Sequence, residues 1–187
     1  MAIVDIESFT PPDGREYFLD CNVLMYLFYQ NGGYAESMVQ KYSAFLTQIY
    51  NSDSKIVLTD MVISEFINTY VRYEFNRLAE ENSWPTSRDY FKKSFKLTQE
   101  YEDILKEIQI IINRQLKPIA VQVNTDFENF DISSAFEPYS TFDFNDRYYG
   151  EVMKGRNAYI VTNDADFSDV DGCTIITCNK ALLSAAH

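Results

Sequence analysis

Three acidic residues of this sequence stand just beyond segments that favour buried strands. Asp20 directly follows the apolar run Tyr17–Leu19, and Asp164 follows the run Tyr159–Thr162 after one intervening residue. Asp166 lies two residues further on. An acid after a strand is most often a turn former or a helix cap. Carboxylates at the ends of several strands can, however, also be brought together to bind a metal ion.

Two further acids fall on predicted helices. Glu65 lies one or two turns into the helix that follows the strand Ile56–Leu58, beside the apolar stripe of that helix. Asp146 falls in the first turn of the helix that precedes Tyr159, where it also favours the helix dipole. Glu65 is harder to explain structurally, because a carboxylate turned toward a core or cleft is costly unless it is paired or bound to metal.

Gathered carboxylates repel one another and raise each other's pKa, and a divalent cation relieves that repulsion. Mg²⁺ and Mn²⁺ prefer oxygen ligands. One or two such ions can bind a phosphodiester, generate a hydroxide and stabilise the leaving oxygen. The five acids therefore predict metal-assisted hydrolysis, a chemistry that needs no histidine.

The composition agrees with that chemistry. The one histidine is His187, the last of the 187 residues, which excludes a Ser-His-Asp triad, a two-histidine ribonuclease and an HExxH zinc helix. A net charge of −12 excludes a blanket basic surface for nucleic acid, so phosphates must meet a local patch or a metal ion.

The elements that would position the acids alternate along the chain. Five short β-rich runs alternate with helices, which predicts an α/β fold of three layers, α/β/α, with a central parallel sheet of about five strands. Such sheets bind ligands outside the carboxyl ends of their strands. A turn at Thr10–Gly14 separates a short leader from the fold. The expected strands are Tyr17–Leu19, Ile56–Leu58, Ile119–Val123, Tyr159–Thr162 and Thr174–Thr177.

Several helix boundaries can also be predicted. Asn22 is expected to cap a helix over Val23–Tyr29, and Thr59 or Asp60 to cap the helix that carries Glu65. Gly155 is expected to end the helix that begins near Asn145. Helical character is further expected over 35–50, 101–112 and 127–135.

Length and composition favour one domain over residues 1–187, with an inserted helical arm at about 74–117. The first residues show neither a basic nor an apolar segment typical of a signal peptide, and no stretch approaches 18 apolar residues. The three cysteines form no CxxC pair. We therefore expect a cytoplasmic protein with no membrane partner.

Four segments resemble, in order, the motifs of the PIN domain family. The first strand ends in Asp20 with Asn22 two residues on, an acid follows the second strand at Glu65, and Asp146 opens a helix. The fourth segment is Thr162-Asn-Asp-Ala-Asp-Phe167. PIN domains are metal-dependent nucleases, many of them toxins of bacterial and archaeal toxin–antitoxin pairs. The sequence departs from the family in Cys21, where Thr or Ser is usual, and in the tyrosines after Asp146.

The resemblance implies a divalent-metal-dependent endoribonuclease that hydrolyses RNA with metal-activated water. It implies that Mg²⁺ or Mn²⁺ is held by four catalytic acids, with Asp166 helping directly or through water. Second-shell side chains would orient the carboxylates or bind a water. The partners implied are an RNA substrate, an antitoxin protein and a second copy of the chain. The implied catalytic acids are Asp20, Glu65, Asp146 and Asp164, and the side chains implied to orient them or bind a water are Asn22, Thr162 and Asn163.

Basic residues near the predicted arm are open to two interpretations. They alternate with Tyr90, Phe91 and Phe95, which suits either an arm that grips nucleic acid or a solvated helix face over packed aromatics. Tyr148 and Tyr149 likewise suit either core packing or base stacking. The candidate substrate-binding residues are Arg88, Lys92, Lys93, Lys96 and Arg147.

Two other functions remain as alternatives. A PIN fold could serve as a catalytically inactive binding or scaffold module, although an inactive site has no physical reason to keep mutually repelling acids. A haloacid-dehalogenase-like phosphatase needs a second Asp two residues after its nucleophile, and Asn22 stands there instead.

Overall fold

Six parallel strands form one sheet in the computed structural model, which describes residues 2–125, 127–133 and 143–185. The strand order is β1-β6-β5-β2-β3-β4, and every pair of neighbours is parallel. The strands are β1 Ala2–Asp5, β2 Glu16–Leu19, β3 Lys55–Leu58, β4 Ala120–Gln122, β5 Tyr159–Val161 and β6 Thr174–Thr177.

The predicted parallel sheet is confirmed, and it has one strand more than the expected five. The additional strand is β1, which lies in the segment expected to be a leader, and Ala2 aligns with Thr174 of β6. As an edge strand it is only partly buried, although three of its four residues are apolar, as many as in β2 and β3. In the centre, Tyr17, Phe18 and Ile160 are fully buried, as expected for a sheet covered on both faces.

Seven α-helices flank this sheet in the part of the chain that the structure describes. Thr59 caps α3 by accepting a hydrogen bond from the backbone N–H of Val62, as predicted. The helices are α1 Cys21–Phe28, α2 Glu36–Asn51, α3 Asp60–Asn82, α4 Arg88–Lys93, α5 Gln99–Ile111, α6 Phe144–Arg156 and α7 Lys180–Ala185.

Three expected boundaries were wrong or fall partly outside the described residues. The cap of α1 is Asp20 rather than Asn22, because the Asp20 carboxylate accepts from the N–H of Cys21. Helix α6 runs through Gly155 and ends at Asn157, whose φ of 55° is left-handed and suits asparagine. The expected helix over 127–135 is a 3₁₀ helix at Phe127–Asn129, and residues 134–135 lie outside the described part.

The region after the middle of α3 packs through aromatic rings. The ring of Phe75 on α3 lies 5.0 Å from that of Phe91 and 4.8 Å from that of Phe95, centroid to centroid. Phe91 and Phe95 are both buried, so the aromatic rings of the basic segment pack beneath its exposed cations. This packing fixes α4 and the following turn against α3.

The order in which strands are added to the sheet reverses between β2 and β5. From β2 the chain builds outward to β3 and β4, and it then returns to β5 and continues outward to β6 on the other side. The carboxyl ends of β2 and β5 therefore flank the switch point, where open α/β sheets bind their ligands. No helix over residues 2–125, 127–133 and 143–185 has the length and apolar character needed to cross a membrane.

Candidate active site

Six carboxylates line one cavity of about 270 Å³ at this switch point. Five of them are the acids predicted from the sequence, and the sixth is Asp143. Asn22 also lines the cavity, and no basic side chain is among the described residues that line it. The predicted acids found here are Asp20, Glu65, Asp146, Asp164 and Asp166.

Asp20 is held rigidly at the start of α1. Its side chain is buried, and Oδ1 accepts a 2.6 Å hydrogen bond from the N–H of Cys21. Its Oδ2 accepts a 2.8 Å hydrogen bond from the Thr162 hydroxyl and another from the Asn22 amide. Both oxygens are therefore oriented by donors from the ends of two neighbouring strands.

The loop after β5 is tied to the end of β2 by the same group of residues. The Thr162 hydroxyl accepts from the N–H of Asp164 at 3.0 Å, and the Asn22 carbonyl accepts from the N–H of Asn163 at 3.2 Å. The side chain of Asn163 turns elsewhere: Tyr42 donates to its Oδ1 and its amide donates to Tyr26. Asn163 thus acts on the cavity through its backbone.

Glu65 lies half-buried in the second turn of α3, and the Tyr149 hydroxyl donates a 3.1 Å hydrogen bond to its Oε2. Tyr148 and Tyr149 are both buried on α6, so core packing is the correct interpretation for both. The contact of Tyr149 with Glu65 was not predicted. The only feature of the sequence that points to this contact is the large polar side chain of Tyr149 at a place where the family usually has small residues.

Asp143 was also missed by the sequence analysis. Its Oδ1 accepts hydrogen bonds from the N–H groups of Asn145 and Asp146 at 2.8 and 3.4 Å, which makes it the cap of α6. An Asp just ahead of a helical segment is a recognisable cap signal. Because α6 was expected to begin near Asn145, that signal was not used.

The crowding of acids changes their protonation. Burial, followed by the charges of Glu65 and Asp164, raises the pKa of Asp20 to about 7, even though the Thr162 hydrogen bond opposes the shift. Burial and the charge of Asp20, with Asp143 and others, raise the pKa of Asp146 to about 8. Burial also raises the pKa of Glu65. Part of the cavity's negative charge is thus suppressed near neutral pH when no cation is bound.

The donor set fits a hard divalent cation, since it consists of carboxylate oxygens with no basic residue among the described lining. Over the described ranges, however, no three acidic, histidine or cysteine side chains converge closely enough to form a ready ion-binding group. Asp166 is exposed, so its side chain has room to turn toward a shared ion, whereas Oδ1 of Asp164 accepts from the N–H of Asp166 at 3.1 Å and Asp20 stays fixed.

The predicted basic residues lie outside the cavity. Lys93 pairs with Asp89 at 3.0 Å, and Lys96 lies over the aromatic rings of Phe91 and Tyr101. Arg88 and Lys92 are exposed on α4, and Arg147 is half-buried on α6.

The fold and this cavity define a class of α/β protein with an acidic site at the switch point of a parallel sheet. The sequence profile of the PIN domain matches residues 17–172, so the chain belongs to the PIN domain family. PIN domains are generally nucleases. No curated protein matches the chain significantly.

Among the solved structures that resemble the chain are two with known names. A chain of VapBC2 from Rickettsia felis, bound to a DNA fragment from their promoter, is 13% identical, with a TM-score of 0.52 over 87% of this chain and 98% of that one. PAE2754 from Pyrobaculum aerophilum is 14% identical, with a TM-score of 0.41 over 92% of this chain and 90% of that one. The likeness to the VapBC2 chain shows a shared fold.

Proposed function

We propose that the chain is a divalent-metal-dependent endoribonuclease that hydrolyses RNA phosphodiester bonds. The observation that carries the proposal is the gathering of six carboxylates around one cavity at the switch point of a PIN fold. Without a cation such a cavity is electrostatically unfavourable, as the raised pKa values of Asp20 and Asp146 indicate.

Under this proposal each side chain has a distinct task. Asp20 is the fixed ligand of Mg²⁺ or Mn²⁺, because its two oxygens are already oriented. A bound ion of this kind supplies an activated water and stabilises charge on the leaving oxygen. Glu65, Asp146 and Asp164 complete the ligand set, and Asp166 assists directly or through water.

The surrounding polar groups orient these ligands. Asn22 and Thr162 hold Asp20, and Thr162 also holds the backbone of Asp164. Tyr149 holds Glu65. Partners that orient ligating carboxylates are worth about 10- to 100-fold in metal affinity or activity.

We further propose that the chain is the toxin of a toxin–antitoxin pair, with an antitoxin protein as partner, self-association into a homodimer and a cytoplasmic location. The support is the PIN family and the shared fold with a chain of VapBC2. The organisation as one domain with a helical elaboration at about 74–117 stays a prediction.

The test is incubation of the purified chain with a mixed-sequence RNA in Mn²⁺, Mg²⁺ or EDTA. Asp146→Asn runs in parallel, and Asp13→Asn, in an exposed turn, is the matched control. We expect metal-dependent cutting by the wild type and the control only. Cutting by Asp146→Asn at the wild-type rate contradicts the site assignment.

A catalytically inactive PIN-fold binding module is the second candidate. It is favoured by the absence of a ready three-residue ion-binding group in the described part of the chain. Calorimetric titration with Mn²⁺ separates the two candidates. A binding module shows no uptake of the ion at the carboxylates, whereas the nuclease takes up Mn²⁺ in the wild type and loses that uptake in Asp20→Asn.

A further inference from the structure

We propose that a groove beside α3 binds the backbone of single-stranded RNA next to the bond that is cut. The anchoring cations are Arg72 and Lys96, and Tyr73 stacks on a base. The proposal rests on the proposed function and adds to it a binding subsite outside the acidic cavity.

The groove adjoins the cavity, because Thr69 and Tyr73 line both spaces, and it has a volume of about 410 Å³. Glu65 and Arg72 lie on the same helix, seven residues or about 10 Å apart along its axis. A strand held at the carboxylates can therefore reach Arg72 without leaving the surface of α3. We name this space the α3 groove, and the residues of interest in it are Asn68, Thr69, Arg72, Tyr73, Phe91 and Lys96.

The charge of the α3 groove is opposite to that of the cavity. No acidic side chain is among the described residues that line it. The guanidinium carbon of Arg72 lies 4.2 Å from the centre of the Phe91 ring, and the Lys96 ammonium lies 5.5 Å from the same centre. Two cations thus converge on one aromatic ring in a chain of net charge −12.

Among the described residues, neither of these cations has a carboxylate partner, unlike three other basic residues of the same region. Lys93 and Lys106 pair with nearby acids, as does Arg77 with Glu74 and Glu81. Arg72 and Lys96 contact aromatic faces instead, which keeps their N–H donors available to an anion. A phosphate of the RNA backbone fits this arrangement by charge.

Tyr73 lies at the junction of the two spaces and offers a stacking surface. Its side chain is 43% exposed, and its ring is held by an edge contact with Tyr29 at 5.7 Å. An aromatic ring beside cations that track a backbone is the usual arrangement for binding single-stranded nucleic acid without reading its sequence. A duplex would not present unstacked bases to such a ring.

Binding is measured separately from cutting. A labelled oligoribonucleotide of mixed sequence is titrated with the Asp146→Asn protein in EDTA, at 50 to 200 mM salt, and fluorescence anisotropy is followed. Arg72→Met, Lys96→Met and the double variant are compared with Lys106→Met/Arg114→Met, which removes two positive charges from exposed positions. Thermal melting verifies that each variant folds.

Each lost phosphate contact lowers the slope of log K against log salt by about 0.7, which corresponds to roughly fivefold weaker binding at 0.1 M salt. The double variant is therefore expected to bind about 25-fold more weakly, and the control double variant to bind as the parent does. Arg72→Lys keeps the charge and is expected to keep the salt slope. In the protein that still cuts RNA, the groove variants are expected to raise KM and leave kcat unchanged, because these cations contact the substrate at a distance from the bond that is cut.

The two proposals fail in different ways. If no protein cuts RNA but the α3 groove variants weaken binding as expected, the nuclease is wrong and the groove stands. If the wild type cuts and the groove variants match the control in affinity and salt slope, the groove proposal is overturned, whether the groove is then empty or holds an acidic peptide of a partner. Failure of every variant to bind RNA also overturns it.

Discussion

The hydroxyl group of Thr162 donates a 2.8 Å hydrogen bond to Oδ2 of Asp20, joining two strand ends that are 142 residues apart in the sequence. The same hydroxyl accepts a hydrogen bond from the N–H of Asp164. One buried threonine therefore sets the orientation of the central acid and the path of the loop that carries another.

Thr162→Val keeps the shape of the side chain and removes its hydrogen bonds to Asp20, Asp164 and Asn22. We expect a loss of about 1–3 kcal/mol in the free energy of unfolding, because the buried Asp20 carboxylate and the half-buried N–H of Asp164 each lose a partner. Thr177→Val is the control, since Thr177 is also fully buried at a strand end but its hydroxyl accepts from the N–H of Asn179 instead of holding Asp20. Urea unfolding and RNA cutting are measured together. A cutting rate that falls equally in both variants would refute a specific role for Thr162.

The stability of the metal-free protein should fall as the pH rises from about 4 to about 8 and then level off. The folded-state pKa values of Asp20 and Asp146, about 7 and about 8, lie above the ordinary Asp value of 3.8, so the folded chain holds protons that the unfolded chain releases. The resulting stabilisation is complete below about pH 4 and is lost as these groups ionise. One released proton gives a slope of about 1.4 kcal/mol per pH unit. Thermal melting in EDTA from pH 5 to 9 measures this dependence of stability on pH. Asp20→Asn should make the dependence less steep. An equal slope in the wild type and in Asp20→Asn contradicts the assignment of the effect to the raised pKa of Asp20.

Mn²⁺ should reverse that loss of stability at pH 8. An ion that binds only the folded chain stabilises it by about 2.7 kcal/mol when its concentration is 100 times the dissociation constant. Asp20→Asn and Glu65→Gln should lose most of this gain, while Asp13→Asn should keep it. Melting temperature against Mn²⁺ concentration gives the result. An equal rise in melting temperature in the wild type and all three variants would show that the ion binds elsewhere.

Tyr149→Phe removes the hydroxyl that donates to Glu65 and leaves the ring in the core. We expect about 1 kcal/mol of lost stability, a higher pKa for Glu65 and slower cutting, because the carboxylate loses its orienting donor. Tyr148→Phe is the adjacent control, as Tyr148 is equally buried. The dependence of cutting rate on pH is the measurement that a purely structural role would not shift, and it should move upward in Tyr149→Phe alone.

The packing of α6 can be tested at its two glycines. A Cβ at Gly150 would lie 2.3 Å from Cγ1 of Val170, whereas one at Gly155 would have no atom within 4 Å. Gly150→Ala should therefore destabilise the chain by about 1–3 kcal/mol through overpacking. Gly155→Ala should stabilise it by up to about 1 kcal/mol through helix propensity. Urea unfolding of both variants measures these changes in the free energy of unfolding. A stabilised Gly150→Ala would show that Val170 can move aside for the added methyl group.

The positions of Asp20 and Asp164 were predictable because an acid that follows a buried strand in a parallel sheet must lie on one rim of that sheet. β1 was missed because the turn at Thr10–Gly14 separates it from the rest of the fold, and its partner lies more than 170 residues further on. Asp143 was missed because its role is a local cap, which many exposed acids can fill. The α3 groove was beyond prediction, since Arg72 and Lys96 meet only when α4 folds onto α3.

The separation of Asp20 and Thr162 also determines when the site exists during synthesis. A ribosome that adds about 5–20 residues per second needs on the order of ten seconds to travel from one to the other. During that interval the growing chain has the end of β2 but no β5 beside it. Under the proposed function, the messenger and the ribosome that make the protein are therefore spared its activity until β5 has been translated.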